Sequence, residues 1–294
     1  MRQFVTSLGL LIALTVVALM LVPRAWIAAP ISNEPRWMMN SGFVNDHPDV
    51  GPWTWLWSSR MSLRIDHPED TNIVIWNHHT EAMAAAPSCL GRAYFPPPSI
   101  MALEALGRTR VYYLCTRSSQ ERGKPFFAEQ RRDEILALVN GLRDLGVPAG
   151  RIFLAGQSGG SCSSLFALGA APKSMNAGIL FAPACHGQGE GALRQLGRLD
   201  KLAQKVEADI VAAEQVRALL IGFDNDAWNR PEDLDFLAQR WPEEVRVFSP
   251  HCGANHSGAF YGCGVEKVAN AVRAYFLEQL EAGGLPAPKQ SSTG

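Results

Sequence analysis

The sequence predicts an α/β fold, a mainly parallel sheet with helices on both faces. Two observations predict it. Short apolar runs recur at Ile73–Trp76, Val111–Leu114, Ile152–Ala155, Gly178–Phe181, Ala218–Ile221 and Val245–Phe248. Between several of them stand amphipathic stretches long enough to be helices. Strands that alternate with helices need crossover connections, and crossovers make neighbouring strands parallel. In such sheets ligands bind beyond the carboxyl ends of the strands. No repeat and no second core is visible, so one domain accounts for residues 30–282.

Each element has its own justification. Residues Phe4 to Val22 follow Met1-Arg2-Gln3 and carry no charge, being mostly Leu, Val, Ala and Ile. That length approaches the ~20 residues a helix needs to cross a bilayer. Residues 1–29 are therefore expected to be a signal peptide or a membrane anchor, with possible membrane attachment through residues 4–22 and the rest of the chain extracytoplasmic. From Pro30 to Trp57 the composition shifts to Pro, Gly, Asn and Asp, with Trp37, Trp53, Trp55 and Trp57 among them. This reads as an arm covering the core, or as an aromatic wall beside a cleft. Met61–Ile65 alternates like a short strand, and a turn-rich stretch separates it from the strand at Ile73. Pro96-Pro97-Pro98 leads into a short helix over Met101–Leu106. Phe126 to Leu145 is a helix, with Ile135, Leu138, Val139, Leu142 and Leu145 on one stripe and Gly146 to end it. A helix after the strand at Ile152 ends before Pro172. Another is expected from Ala192 to Gln215 on Leu193, Leu196, Leu199, Leu202 and Val206. Val265–Leu280 is the closing helix, and 283–294 is expected to be a disordered tail.

Bulk numbers narrow the function. The chain has 294 residues, 47% hydrophobic and 19% charged, with 27 basic against 28 acidic side chains. No basic block stands out, so no nucleic-acid partner is indicated. Six cysteines occur and none forms a C-x-x-C pair, so neither a zinc site nor a dithiol redox site is suggested. In an oxidising compartment they could be disulfides, or they could be buried thiols. The best-placed pair is Cys252–Cys263, which would clip a short loop around His256.

The chemistry concentrates at Gly156-Gln157-Ser158-Gly159-Gly160, directly after an apolar strand and before a small-residue segment. A sharp strand-turn-helix junction strains its middle residue and admits only small neighbours, which Gly156 and Gly160 supply. Ser158 would stand at a helix N-terminus, where developing negative charge is favoured. A nucleophilic serine needs a base and an acid to orient it, in the chain order serine, acid, histidine for such a junction. Of seven histidines only His186, His251 and His256 follow Ser158. His186 precedes the acid candidates. His256, set among small residues, is preferred over His251. After Leu219–Gly222 come Asp224 and Asp226; Asp226 is preferred as the acid, with Asp224 bracing the turn. Asn255-His256-Ser257 matches a glycosylation sequon, but a glycan there would block the base. One oxyanion donor would be the Gly159 N–H, and the second would come from the loop Asn77-His78-His79. His78 and His79 lack partners at metal spacing, so no metal is expected, and the chemistry requires no cofactor.

With these residues in place, positions 60 to 280 resemble the α/β-hydrolase superfamily, most closely the small serine esterases of the dienelactone-hydrolase type. The likeness rests on the strand end Ile-Val-Ile-Trp-Asn-His, on Gly-Gln-Ser-Gly-Gly, on the strand ending at Gly222 before an Asp loop, and on the late histidine before a terminal helix. The family usually has His-Gly where this chain has His78-His79. The resemblance implies hydrolysis of a carboxylic ester or lactone, a small-molecule substrate, through an acyl-enzyme on Ser158. A serine peptidase or amidase on the same scaffold is one rival. A membrane-anchored, extracytoplasmic binding protein without turnover is the other. Only about 30 residues join the strand at Phe181 to that at Ala218, too few for a large lid domain. Cys162, Trp228 and the N-terminal tryptophans are expected to line the cleft.

Overall fold

A computed structural model describes residues 41–44, 65–80, 95–116, 127–185, 189–262 and 265–283. The expected anchor over 1–29, the tryptophans at 37, 53, 55 and 57, most of the strand at Met61–Ile65, His186 and the tail from 284 lie outside the described residues.

Seven strands form one sheet: β1 (Gly42–Phe43), β2 (Asn72–Asn77), β3 (Thr109–Leu114), β4 (Ile152–Gln157), β5 (Ala177–Phe181), β6 (Ala218–Ile221) and β7 (Val245–Phe248). Their spatial order is β1-β3-β2-β4-β5-β6-β7. Neighbours from β3 to β7 are parallel; only the short edge strand β1 runs antiparallel, against β3. The connection from β3 to β4 passes over β2, so the strand order changes direction between β2 and β4. Such a switch point opens a crevice at the strands' carboxyl ends. Ser158 follows β4 and the Asn77–Thr80 loop follows β2, so both stand at that crevice.

The middle residues of β2 to β6 are apolar because both faces are covered. Ile73, Ile75, Tyr112, Leu114, Ile152, Leu154 and Leu220 belong to one core layer. It is closed by α2 (Phe127–Asp144), α3 (Gly159–Ala170), α5 (Lys201–Val211) and α6 (Asp235–Arg240). The intervening residues Val74, Trp76, Val111, Phe153, Ile179, Phe181 and Ile221 belong to the other layer, closed by α1 (Pro98–Met101) and α7 (Val265–Ala282). Side chains that alternate between two buried layers are what the twofold strand period demands.

Two expectations needed correction. The helix expected over Ala192–Gln215 is two helices, α4 (Glu190–Gln195) and α5. Gly197 turns the chain at φ +65°, and the Asp200 carboxylate starts α5 by accepting from the Ala203 N–H at 2.8 Å. Leu193 and Leu196 are 40% and 63% exposed, so the apparent stripe is not one buried face. The expected Met101–Leu106 helix begins earlier, at Pro98, and continues as a 3₁₀ turn over Ala102–Ala105. The short α6 and the edge strand β1 were not anticipated from sequence.

Candidate active site

Ser158 has φ 57° and ψ −122°, a conformation that side-chain-bearing residues rarely adopt. The surrounding backbone holds it there. Its N–H donates to the Phe181 carbonyl at 3.0 Å, and its own carbonyl accepts from the Cys162 N–H at 3.1 Å and the Ala184 N–H at 3.3 Å. Two glycines make the junction possible. A Cβ on Gly156 would lie 2.7 Å from the Gly160 carbonyl carbon, and one on Gly160 would lie 2.1 Å from the Asn77 carbonyl oxygen. The small-residue run that follows is buried and internally satisfied. Ser161 donates to the Phe181 carbonyl at 2.8 Å, Ser163 to Gly159 at 2.8 Å and Ser164 to Gly160 at 2.9 Å.

The structure separates the two histidines and the two aspartates cleanly. His256 Nδ1 lies 2.8 Å from Asp226 Oδ2 and 3.0 Å from Oδ1. The Asp226 side chain is fully buried and His256 is 16% exposed. An ionised carboxylate only accepts, so Nδ1 carries the proton and Nε2 is left as the basic nitrogen. The second bond to Asp226 comes from the Trp228 N–H, 2.8 Å from Oδ1. The Trp228 indole stacks on the His256 ring, centroids 4.2 Å apart and planes 30° from parallel. The Gln157 amide donates to the His256 carbonyl at 3.0 Å, tying the residue before Ser158 to the histidine loop.

Asp224 and His251 face another way. Asp224 accepts from the Ser249 hydroxyl at 2.9 Å and the Gly253 N–H at 3.2 Å, with His251 Nδ1 at 3.5 Å. The Gly253 bond, then Ser249, holds the Asp224 carboxyl below its ordinary range. His251 is 81% exposed. This pair closes the loop that presents His256. Asn225 strengthens that loop, its N–H on the Ala254 carbonyl at 3.0 Å and its amide on the Gly253 carbonyl at 2.7 Å.

The loop after β2 packs against the elbow. The Asn77 side chain turns inward, donating to Ser164 Oγ at 3.0 Å and the Ala155 carbonyl at 3.2 Å. It braces α3 from below and is not placed as a donor above Ser158. The carbonyls of Asn77 and His78 pack on Gly160. The buried His78 ring donates from Nδ1 to the His79 carbonyl at 2.7 Å. Burial first, and the Arg131 charge second, push its imidazole well below the usual range, so it is neutral at pH 7.

Sequence reasoning missed one residue of this loop's support. Arg131, on α2, donates to the His78 carbonyl at 2.8 Å. Burial lowers its guanidinium to about 10, which still leaves it charged at neutral pH. Nothing in a helical Arg far along the chain signals such a contact. Thr80 packs on the residue after the serine: a Cβ on Gly159 would lie 2.7 Å from Thr80 Oγ1.

Cys162 does not line the cleft. It is buried and bonded to Cys185, with S–S 2.06 Å and a sequence separation of 23. The bridge ties α3 to the loop after β5, the two segments whose N–H groups converge on the Ser158 carbonyl. Cys115 and Cys252 are also disulfide-bonded. Cys263, the expected partner of Cys252, is outside the described residues. Chain-entropy arithmetic for the Cys162–Cys185 loop gives about 3 kcal/mol. Replacing both cysteines by alanine should lower the unfolding free energy by about that amount, read as a lower urea midpoint.

Among the described residues no group of His, Cys, Asp and Glu is arranged to hold a metal ion. No helix among them is long and apolar enough to cross a membrane.

No family model and no curated protein matches the sequence. Solved structures match it in fold. Est1E from Butyrivibrio proteoclasticus, with ferulic acid bound, is 16% identical, covers 73% of this chain and 92% of its own, and superposes with a TM-score of 0.51. Thermogutta terrifontis esterase 2, phosphoramylated by tabun, is 17% identical, covers 76% of this chain and 87% of its own, with a TM-score of 0.51. A prolyl endopeptidase is 13% identical and covers 74% of this chain but 35% of its own, with a TM-score of 0.52. The chain therefore has the α/β-hydrolase fold, with a mixed seven-stranded sheet.

Proposed function

We propose that this chain is a serine hydrolase that cleaves carboxylic esters or lactones through an acyl-enzyme on Ser158. The observation that carries the reading is the strained Ser158 at a helix N-terminus, directly after Gln157, whose amide donates to the carbonyl of His256, a histidine whose Nδ1 is bonded to a buried aspartate. A binding protein has no use for a serine forced into φ 57°; backbone strain of this kind concentrates where chemistry needs it.

In the mechanism, His256 Nε2 takes the Ser158 proton as Oγ attacks the substrate carbonyl. The imidazolium then protonates the leaving alkoxide, and the acyl group stays on Oγ. Water, deprotonated by the same Nε2, attacks the acyl carbon and releases the acid. Asp226 keeps the proton on Nδ1 throughout and stabilises the imidazolium. The Gly159 N–H and a donor from the His78–His79 turn hold the oxyanion, with Arg131 fixing that turn from behind. The relatives in fold described as esterases support an ester substrate, and Est1E with ferulic acid bound supports a small one.

The reading extends to location. The Cys162–Cys185 bridge and the bonded states of Cys115 and Cys252 favour an oxidising compartment, so the catalytic domain is assigned outside the cytoplasm.

The test is covalent. A fluorophosphonate should label the protein once, on Ser158, and the label should be lost in Ser158→Ala. Short p-nitrophenyl esters should turn over, and aminoacyl amides far more slowly. Absence of both labelling and turnover would sink the enzyme reading. Faster amide than ester cleavage would replace it with the peptidase.

A further inference from the structure

Among the described residues Trp228 is the aromatic ring stacked on the proposed base, and the reaction as written gives it no task. It touches both partners of the histidine–aspartate pair by different means. Its backbone N–H holds Asp226 Oδ1 at 2.8 Å, and its indole face lies on the His256 imidazole at 4.2 Å. The contact is built from three sides. The Trp228 carbonyl accepts from the Gly191 N–H at 3.0 Å, and the neighbouring Ala227 carbonyl from the Gly189 N–H at 2.7 Å, so the start of α4 fixes the loop. Asn229, the next residue, is buried and donates to the Pro183 carbonyl at 2.9 Å. The indole is thus held by a braced backbone.

We propose that Trp228 is a positioning residue, one that sets the plane of the His256 ring and favours its protonated form during turnover. It deepens the serine-hydrolase reading and rests on it. Two physical terms support the assignment. Asp226 fixes only Nδ1, and a ring held at one edge can still rock about that bond; an aromatic face across the whole imidazole prevents this. The stack also gains when the imidazole becomes a cation, because the indole face is electron-rich. Among the described residues the charged group bonded to His256 is Asp226 alone. Gln157 engages its backbone carbonyl, and Asp224 and His251 turn to each other.

The substitution is clean, because alanine at position 228 keeps the backbone N–H on Asp226 and removes only the ring. Trp228→Ala should lower kcat about fivefold with KM changed by less than about twofold. The acidic limb of its kcat/KM profile should move about half a pH unit lower, since the protonated ring loses its partner. Trp228→Phe should restore both to near the wild-type values. Two results overturn the inference while leaving the function intact. One is wild-type turnover with the alanine variant's kcat and pH profile unchanged. The other is a kcat loss with an unmoved profile that phenylalanine does not rescue, which marks a purely structural contribution. A wild-type protein that neither hydrolyses esters nor takes the phosphonate label overturns the function itself, and this inference with it.

Discussion

His256→Ala should lower ester turnover by at least about 10⁴-fold, while His251→Ala should leave it within about threefold. The two residues are five apart on one loop, yet their surroundings differ completely. His256 is mostly buried, with Nδ1 on a carboxylate that is itself fully buried, so its Nε2 has a defined protonation state and a fixed direction. His251 is exposed, and its nearest carboxylate already accepts from Ser249 and Gly253. The aspartates should divide in the same way. Asp226→Asn keeps the shape but offers the ring an amide that no longer requires the Nδ1–H tautomer, and kcat should fall about 10⁴-fold. Asp224→Asn loses bonds at the rim of the loop, and its effect should appear in stability more than in kcat. Steady-state kinetics of the four variants on one p-nitrophenyl ester decides the matter. Activity surviving His256→Ala and lost in His251→Ala would reverse the assignment.

What could be read from the chain follows from how locally each feature is encoded. Strands β2 to β6 were legible because each carries an unbroken apolar run, as burial on both faces requires. The elbow was legible because glycine has so few substitutes where two backbones touch, and Gly156 and Gly160 prove to be such places. The choice between Asp224 and Asp226 was not legible. Both follow the same strand, and what separates them is whether a side chain points under the Trp228 N–H or toward Ser249, which is set by loop geometry. The break at Gly197 was hidden by leucines at helical spacing, two of which prove exposed. The Cys162–Cys185 bridge was passed over because its two cysteines sit on different elements, and sequence separation says nothing about which helix lies over which loop. Arg131 was beyond reach for the same reason: its contact with the His78 carbonyl exists only once α2 has packed against the sheet.

Gly160→Ala should be the most damaging substitution of a single methyl group in the described part of the elbow. The new Cβ would lie 2.1 Å from the Asn77 carbonyl oxygen and 2.5 Å from that of His78. Both obstacles are backbone, so no side-chain rotation relieves them. Either α3 backs away from β2, or the Asn77–Thr80 loop moves outward. The first course breaks the Asn77–Ser164 bond and the packing of a helix whose first ten residues are buried. The second displaces the turn that Arg131 anchors and that supplies the oxyanion donor. The unfolding free energy should fall by about 4 kcal/mol, at the upper end of what overpacking causes. The fraction that folds should show kcat reduced about 10²-fold, because a donor misplaced by about 1 Å no longer meets the oxyanion. Gly197→Ala is the control. Gly197 sits at positive φ, +65°, which Gly160 does not, and nothing lies within 4 Å of its added Cβ. It should lose only about 1 kcal/mol from the left-handed backbone and leave kcat unchanged. Urea titration and ester kinetics on the two variants separate backbone collision from backbone strain. Equal losses in both would mean that the close approach of α3 to β2 is not what holds the elbow together.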